Sequence, residues 1–369
     1  MHILKLTYTI VIISGCFRPQ SWTSLFKRTV YNIYRLYIIT MICTFTILQV
    51  MDIILYANDI DDVTNNLYMI LNVASSCYKI IIMTLNYEKI VALISYLIEE
   101  PFKPLDSDEI KIRQQYDQTI RNNTLRYTTL VVAATIFGVL FSLFTDFRHK
   151  QLKFKEWEPF NSSSYMIFCF QYVRQILSGC HSVVVSVATD NLICGFLMHI
   201  CCQIEILEYR LKKILSNQVT VGYCVDHHNR IFEFAQIMNV EFTKVIGFQF
   251  VASAIVICCN LYKLSVMSTL NADNIWLIMY TSCILTQIFI YCWFGNKVKL
   301  KSLQLIDSIF HMEWPMDNSV KKNLLMIMKR VMTPIEISTV YIINMNLNSF
   351  VTLLKTSYSV YNLLVSTNG

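Results

Sequence analysis

The chain reads as an all-α membrane protein of seven transmembrane helices, and three observations predict it. Apolar residues make up 54% of its 369 residues and charged residues 15%, with a mean hydropathy of +0.45; a soluble domain carries about 25% charged residues. The apolar residues are gathered into blocks, as a bilayer requires of spans about 20 residues long, and 8 Gly and 6 Pro rarely interrupt them. The basic residues stand at the block edges, so the net charge of +6 reads as a topology signal rather than a phosphate-binding stripe. A soluble globule and a nucleic-acid partner are both excluded; the surrounding partner is membrane lipid.

Residues 1–33 form a cytoplasmic N-terminal segment. The opening run MHILKLTYTIVIISGC resembles a signal peptide, with Ser14-Gly15-Cys16 in the place of a cleavage site. Its apolar core is short, its basic flank is thin and the next span follows closely, so it is kept as part of the mature chain. Seven stretches then suffice to cross a bilayer: 34–56, 64–85, 127–147, 163–187, 247–267, 274–295 and 337–363. They divide into a six-helix transmembrane region with cytoplasmic helical extensions (34–295), a cytoplasmic anchor helix segment (296–336), and a last pore-type transmembrane helix with an external tail (337–369).

The fourth span continues in apolar character past Asp190 to Cys202, which makes a helix of ~55 Å at 1.5 Å per residue. One long helix is expected rather than two passes, because Asp190, His199 and Glu205 are costly in a lipid-facing span. Its continuation repeats Ile204, Leu207, Leu211 and Leu215 at helical spacing, with Glu205, Glu208 and Arg210 on other faces. Leu324–Met328 repeats the theme, as expected of helices that leave the membrane and pack on one another.

Charge sets the orientation. Most of the 31 basic residues fall in the segment before span one, the connections after spans two and four, and the connection before the last span. The opposite side holds Arg148, Lys150, Lys153 and Lys155 in one loop and an acidic loop at 58–62. The N-terminus is therefore expected in the cytoplasm and the C-terminus outside, the reverse of a G-protein-coupled receptor. The sequon at Asn161 then falls outside and is a candidate glycosylation site, while the one at Asn122 falls inside.

Thirteen cysteines, mostly in apolar blocks and without CxxC or Cys/His ligand spacing, read as small packing residues. His227-His228 lacks a carboxylate or cysteine at ligand spacing, so no metal site is expected, and no cofactor. Arg174 and Asp190 are expected to pair with neighbouring helices. No nucleophile elbow, P-loop, HExxH or paired-carboxylate arrangement occurs; an enzyme is not expected. In the last span Asn344, Asn348, Thr352, Lys355, Ser359 and Asn362 recur at intervals of three and four, which puts them on one helical face. That face is either a pore wall or polar glue between packed helices.

Several runs, in order, resemble the insect odorant receptors. YCWFGNKVKLKSLQLIDSIFHMEW (291–314) is similar to that family's sixth-span exit, NLLMIMKRVMTPIEIS (323–338) and NLNSFVTLLKTSYSVYNLL (346–364) to its final two segments, and GCFRPQSWTS (15–24) to its pre-membrane motif. The resemblance implies an odorant-tuning subunit of a heteromeric, tetrameric, ligand-gated and non-selective cation channel. It also implies a co-receptor subunit as partner and the plasma membrane of an olfactory neuron dendrite as the location. It places the gate near Tyr361 and Leu364, on a different face from the polar stripe; these two are favoured as gate, with Asn348 and Thr352 in packing or vestibule roles. It implies a pocket for a small volatile in the outer halves of spans two, three, four and six, where Tyr68, Asn72, Phe137, Phe141, Phe168, Tyr172, Trp276 and Tyr280 are the candidate lining. A gustatory-type channel subunit shares the architecture, but its last-helix TY run ending in QF is absent. A metabotropic chemoreceptor predicts the opposite topology with DRY and NPxxY motifs, and a transporter predicts inverted repeats and broken helices.

Overall fold

The protein is described here from a computed structural model, which covers residues 4–19, 21–56, 60–157, 165–214, 219–266, 272–312, 318–339 and 343–368. The sequon at Asn161 and the terminal Gly369 lie outside the described residues. Helices dominate: α1 (Lys5–Ile13), α2 (Leu25–Tyr56), α3 (Ile60–Leu85), α4 (Tyr87–Tyr96), α5 (Ser107–Phe144), α6 (Tyr165–Lys213), α7 (Val221–Val266), α8 (Ala272–Phe310), α9 (Asn318–Val331) and α10 (Leu347–Asn368). A two-stranded hairpin, β1 (Ser338–Thr339) and β2 (Ile343–Asn344), precedes α10. The chain is an all-α membrane protein. Among the described residues six helices (α2, α3, α5, α6, α7 and α8) are long and apolar enough to cross a bilayer.

α6 is the axis of the bundle. It runs unbroken for 49 residues, as its sequence predicts, and packs against α1, α2, α3, α5, α7 and α8. Its stretch from Val187 to Ile204 is buried without a break, so it has no lipid-facing side there. The outer helices carry the lipid-facing surface: Leu36, Ile47 and Ile54 on α2 and Ile136 on α5 are more than half exposed. In water such a surface would be an aggregation hazard; in hydrocarbon it is the solvent contact the helix needs.

The opening segment from Leu4 packs into the core. Val11, Cys16 and Phe17 are fully buried, and Gly195 of α6 leaves the space that Leu4 fills, since a Cβ there would meet Leu4 Cδ2 at 2.6 Å. The Tyr31 hydroxyl donates to the Ile12 and Phe17 carbonyls at 2.9 and 2.6 Å, and Arg35 donates to the Gly15 carbonyl. All thirteen cysteines are free thiols.

The basic end of the bundle is a second packed layer, made from α4, α9 and the extensions of α5 to α8. Arg210, expected on a polar face, is instead fully buried. Its guanidinium forks onto Glu109 at 2.8 and 2.7 Å, donates to the Pro101 and Lys103 carbonyls, and meets His227 Nδ1 at 3.1 Å. The helix period put Arg210 beside the apolar seam; its burial follows from the carboxylate on α5 and the carbonyls of the 97–106 connection that close over it. Asp106 caps α5 through the Asp108 and Glu109 N–H groups and receives Lys213. Burial alone raises the Asp106 carboxyl, but Lys213 and the two capping groups outweigh it and hold it below its ordinary value.

The expected last span at 337–363 is divided. Ile337 and Ser338 belong to the hairpin region, where Met345 N–H donates to the Ile337 carbonyl at 2.8 Å, and α10 begins at Leu347. The cause is Asn346, whose side chain caps the helix by accepting from Ser349 N–H at 2.8 Å. Asn344 therefore leaves the polar stripe, lies in β2 and donates to Glu336.

Candidate ligand cavity

Between α3, α5, α6 and α8, toward the end of the bundle opposite α4 and α9, lies a cavity of about 130 Å³. α5 contributes the face Tyr127, Val131, Ala134, Thr135, Gly138 and Val139; α6 contributes Gln175, Ile176, Gly179, Cys180, Val183 and Ser186; α3 gives Met69 and Asn72; α8 gives Trp276, Tyr280, Cys283, Ile284 and Gln287. These spacings of three and four are what a helix presents to one neighbour. Trp276 and Tyr280 stack at 5.4 Å and 14° and form a flat aromatic wall. Gly138 makes room for it: a Cβ at that position would meet Trp276 Nε1 at 2.2 Å.

The remaining wall comes from the segment after α5, which folds back into the bundle. Phe154 is clamped by Gln175, which accepts from its N–H at 3.1 Å and donates to its carbonyl at 2.8 Å. Glu156 pairs with Arg174, and Trp157 N–H donates to the Leu48 carbonyl at 3.0 Å. So held, the segment presents Lys153 and Phe154 to the cavity.

Beneath the cavity floor sits a buried polar hub. Asp190 accepts from Lys79 at 2.7 Å and Tyr291 at 2.6 Å on one oxygen, and from Gln287 at 2.5 Å and Tyr127 at 3.0 Å on the other. Lys79 and Asp190 are both buried, and a buried carboxylate in a bilayer persists when it is paired with a cation and its oxygens accept several hydrogen bonds in this way. Two hub partners, Tyr127 and Gln287, also line the cavity. From Gln287 the hydrogen bonds continue to α7, where Gln249 donates to it and to Ser253, each at 2.9 Å; separately, Ser357 of α10 donates to the carbonyl of the neighbouring Ala254 at 3.1 Å.

A family profile described as 7tm Odorant receptor matches residues 59–358. The chain belongs to the insect odorant receptor family. Among its relatives is odorant receptor 46a, isoform A, of Drosophila melanogaster, 25% identical over 295 residues that cover 74% of this chain and 76% of the relative. The fold is that of the olfactory receptor OR5 from Machilis hrabei, at a TM-score of 0.85 and 17% identity over 99% of this chain and 97% of that one. The same receptor in complex with eugenol matches at a TM-score of 0.82 and 18% identity, with the same coverage.

Within this odorant receptor, Asn72, Trp276 and Tyr280 of the eight candidate lining residues reach the cavity. Tyr68 stands one layer behind, its ring 6.2 Å from Trp276 and its carbonyl accepting from Tyr280. Phe137 and Phe141, both half-buried, stack on each other at 6.4 Å, flanking the face that Ala134, Thr135 and Gly138 present. Phe168 and Tyr172 pack on Phe147, and Tyr172 shares a hydrogen bond with Ser142; the cavity face of α6 begins a turn later, at Gln175. The other five lie on the same helices outside this cavity's lining, since an aromatic suits lipid and packing as well as a pocket wall. Lys153 and Phe154 carried no signal, since nothing local says that a loop turns inward. Gly138 and Gln175, a glycine and an amide inside apolar spans, were the available clues.

Of the candidate pore residues, Asn348 and Thr352 are exposed on α10, in line with exposed Lys355, Ser359 and Asn362. The helix packs on α7 and α8 through Leu353 and Ser357. Tyr361 is half-buried against Tyr358 at 5.8 Å, and the Leu364 side chain lies outside the described residues. No group of three or more metal-ligating side chains occurs among the described residues.

Proposed function

We propose that this chain is an odorant-tuning subunit of a ligand-gated, non-selective cation channel of the plasma membrane, with seven spans, its N-terminus in the cytoplasm and its C-terminus outside. The observation that carries the reading is a largely apolar cavity whose floor residues are hydrogen-bonded to Asp190 and, through Gln287 and Gln249, to Ser253 of α7, the helix on which α10 packs. A small volatile enters the cavity against Trp276, Tyr280 and Phe154. About ten heavy atoms supply on the order of 6–8 kcal/mol, hence micromolar binding and broad tuning.

Opening depends on the difference in affinity between closed and open states. Tyr127 and Gln287 touch both the ligand space and Asp190, so a ligand that shifts either one perturbs the hub and, through Gln249 and Ser253, the α7 wall on which α10 rests. α10 lines the pore together with the last helices of the other subunits of a heteromeric tetramer that includes a co-receptor. Tyr361 and Leu364 form an apolar constriction that closes by dewetting, and the face carrying Asn348 and Thr352 lines the pore vestibule or meets a neighbouring subunit. The exposure of that polar face in a single chain supports a partner or water there rather than lipid.

Whole-cell recording with and without a co-receptor subunit tests the reading. Odorant-evoked inward current that persists when G-protein signalling is blocked is expected; current abolished by the block would favour a metabotropic receptor. Tyr361→Ser should raise leak or alter ion preference, and an unchanged channel would remove Tyr361 from the gate.

A further inference from the structure

Beyond the Asp190 hub lies a second, smaller space of about 20 Å³ between α5, α6 and α8. The same three helices that wall the larger cavity line it, one turn or more further on. On α6 the lining passes from Val187 to Asn191, on α8 from Gln287 to Ile290, and on α5 from Val131 through Tyr127 to Asn123. Among the described residues Tyr127 is the one that lines both spaces. Its ring therefore stands between them.

That ring is held in place. It is buried, and its hydroxyl donates to Asp190 at 3.0 Å. The smaller space has room for about one water molecule and cannot take a phenol ring swung aside. A ligand tail pressing from the larger cavity meets a fixed floor.

On the reading that the larger cavity is the odorant site, we infer that Tyr127 sets the length limit of the odorants this receptor accepts, and that the space behind it is an extension of the cavity which this side chain keeps shut. The class selected is a compact molecule, or a linear one whose chain ends short of the ring. Each methylene buried in an apolar cavity raises affinity about fourfold. Potency therefore climbs along a homologous series until the tail reaches Tyr127, and falls beyond it. With the ring removed the climb continues, and the polar groups of Asn123, Thr124 and Asn191 suit a terminal hydroxyl there.

The competing reading is that Tyr127 serves only as a donor to Asp190 and that the space behind it holds water alone. The two differ in what the ring does apart from its hydroxyl. Tyr127→Phe removes the hydroxyl and keeps the ring. Tyr127→Ala removes both, while Lys79, Gln287 and Tyr291 still hold Asp190. The test applies 1-alkanols from butanol to decanol, and phenylalkanols from benzyl alcohol to 5-phenylpentanol, to the full chain co-expressed with a co-receptor subunit. Currents are normalised to surface-labelled protein. The unmodified chain and Tyr127→Phe should peak in potency at the same chain length. In Tyr127→Ala the peak should move up by about two carbons, and the homologue at the new peak should gain on the order of tenfold. Tyr127→Leu, which keeps the site apolar, should shift the peak the same way by less, and takes the place of Tyr127→Ala if that variant does not reach the surface.

An unchanged peak on shortening residue 127, the same shift in Tyr127→Phe, a climb without a break through decanol in the unmodified chain, or silence toward both series in every variant overturns the inference. Val183→Phe fills the larger cavity and leaves Tyr127 in place. Undiminished potency in that variant would remove the cavity as the odorant site, a failure distinct from a length limit that ignores residue 127.

Discussion

Asp190 illustrates how a single side chain organises a membrane protein interior. Four donors from α3, α5 and α8 converge on its two oxygens, and the pair with Lys79 is buried on both sides. Breaking a buried pair by removing one partner costs about 3–5 kcal/mol, because the other charge is stranded. Asp190→Asn should therefore lower the thermal midpoint in detergent markedly, and Lys79→Met combined with Asp190→Asn should recover much of it; a double variant no better than the single one would mean that the pair is not the source of the effect. At Gly138 the constraint is space. Gly138→Ala forces the Trp276 edge to move, so odorant potency should fall severalfold while the protein still folds, measured as a shifted dose–response at equal surface expression. The sequence pointed to Asp190 as a residue in need of a partner, since a carboxylate in a long apolar helix has few tolerable fates. It did not point to Lys79, which lies 111 residues away in the chain.

At the scale of elements, the long helices were legible and their ends were not. α6 was foreseeable from apolar character that continues to Cys202, with Asp190, His199 and Glu205 too costly for a second lipid-facing pass. The start of α10 was not, because Ile337–Asn346 is apolar enough to read as helix until Asn346 is seen to cap. The consequence falls on the junction of α8, the hairpin and α10. Gly295 allows α8 to touch the backbone there, since a Cβ would meet the Met345 carbonyl oxygen at 2.4 Å, and backbone yields less readily than a side-chain tip. Gly295→Ala should displace the root of α10 and change basal current or abolish opening at normal surface levels; wild-type gating in this variant would separate the hairpin from the gate. Arg210 ties together a different set of elements: α5, α6, α7 and the 97–106 connection. Arg210→Lys keeps the charge but loses the fork onto Glu109, and a fall in stability of about 2–4 kcal/mol is expected in denaturant or thermal unfolding.

For the molecule as a whole, the unresolved demand is at α10. Val351, Tyr358 and Leu363 are exposed together with Asn348 and Thr352, so both apolar and polar faces lack cover from this chain. An assembly in which apolar faces meet neighbouring helices and polar ones meet water answers that demand. Cysteines introduced at Asn348 or Thr352 should cross-link between subunits or react with permeant thiol reagents in the open channel. Burial from both would contradict a pore position. The proposed topology makes a further prediction: an epitope after Gly369 should be labelled on intact cells, and labelling that needs permeabilisation would invert the scheme.

Composition, block length and the distribution of basic residues determined the class, the approximate number of crossings and an expected orientation, because each depends on transfer between water and hydrocarbon, a property of residues one stretch at a time. Four ordered runs were enough to suggest the family. The cavity lining depended on which face of each helix met its neighbours and on a loop that folds inward to deliver Lys153 and Phe154. Those are contacts between segments far apart in the chain, and a helix carries its period in its sequence but not the identity of what packs against it.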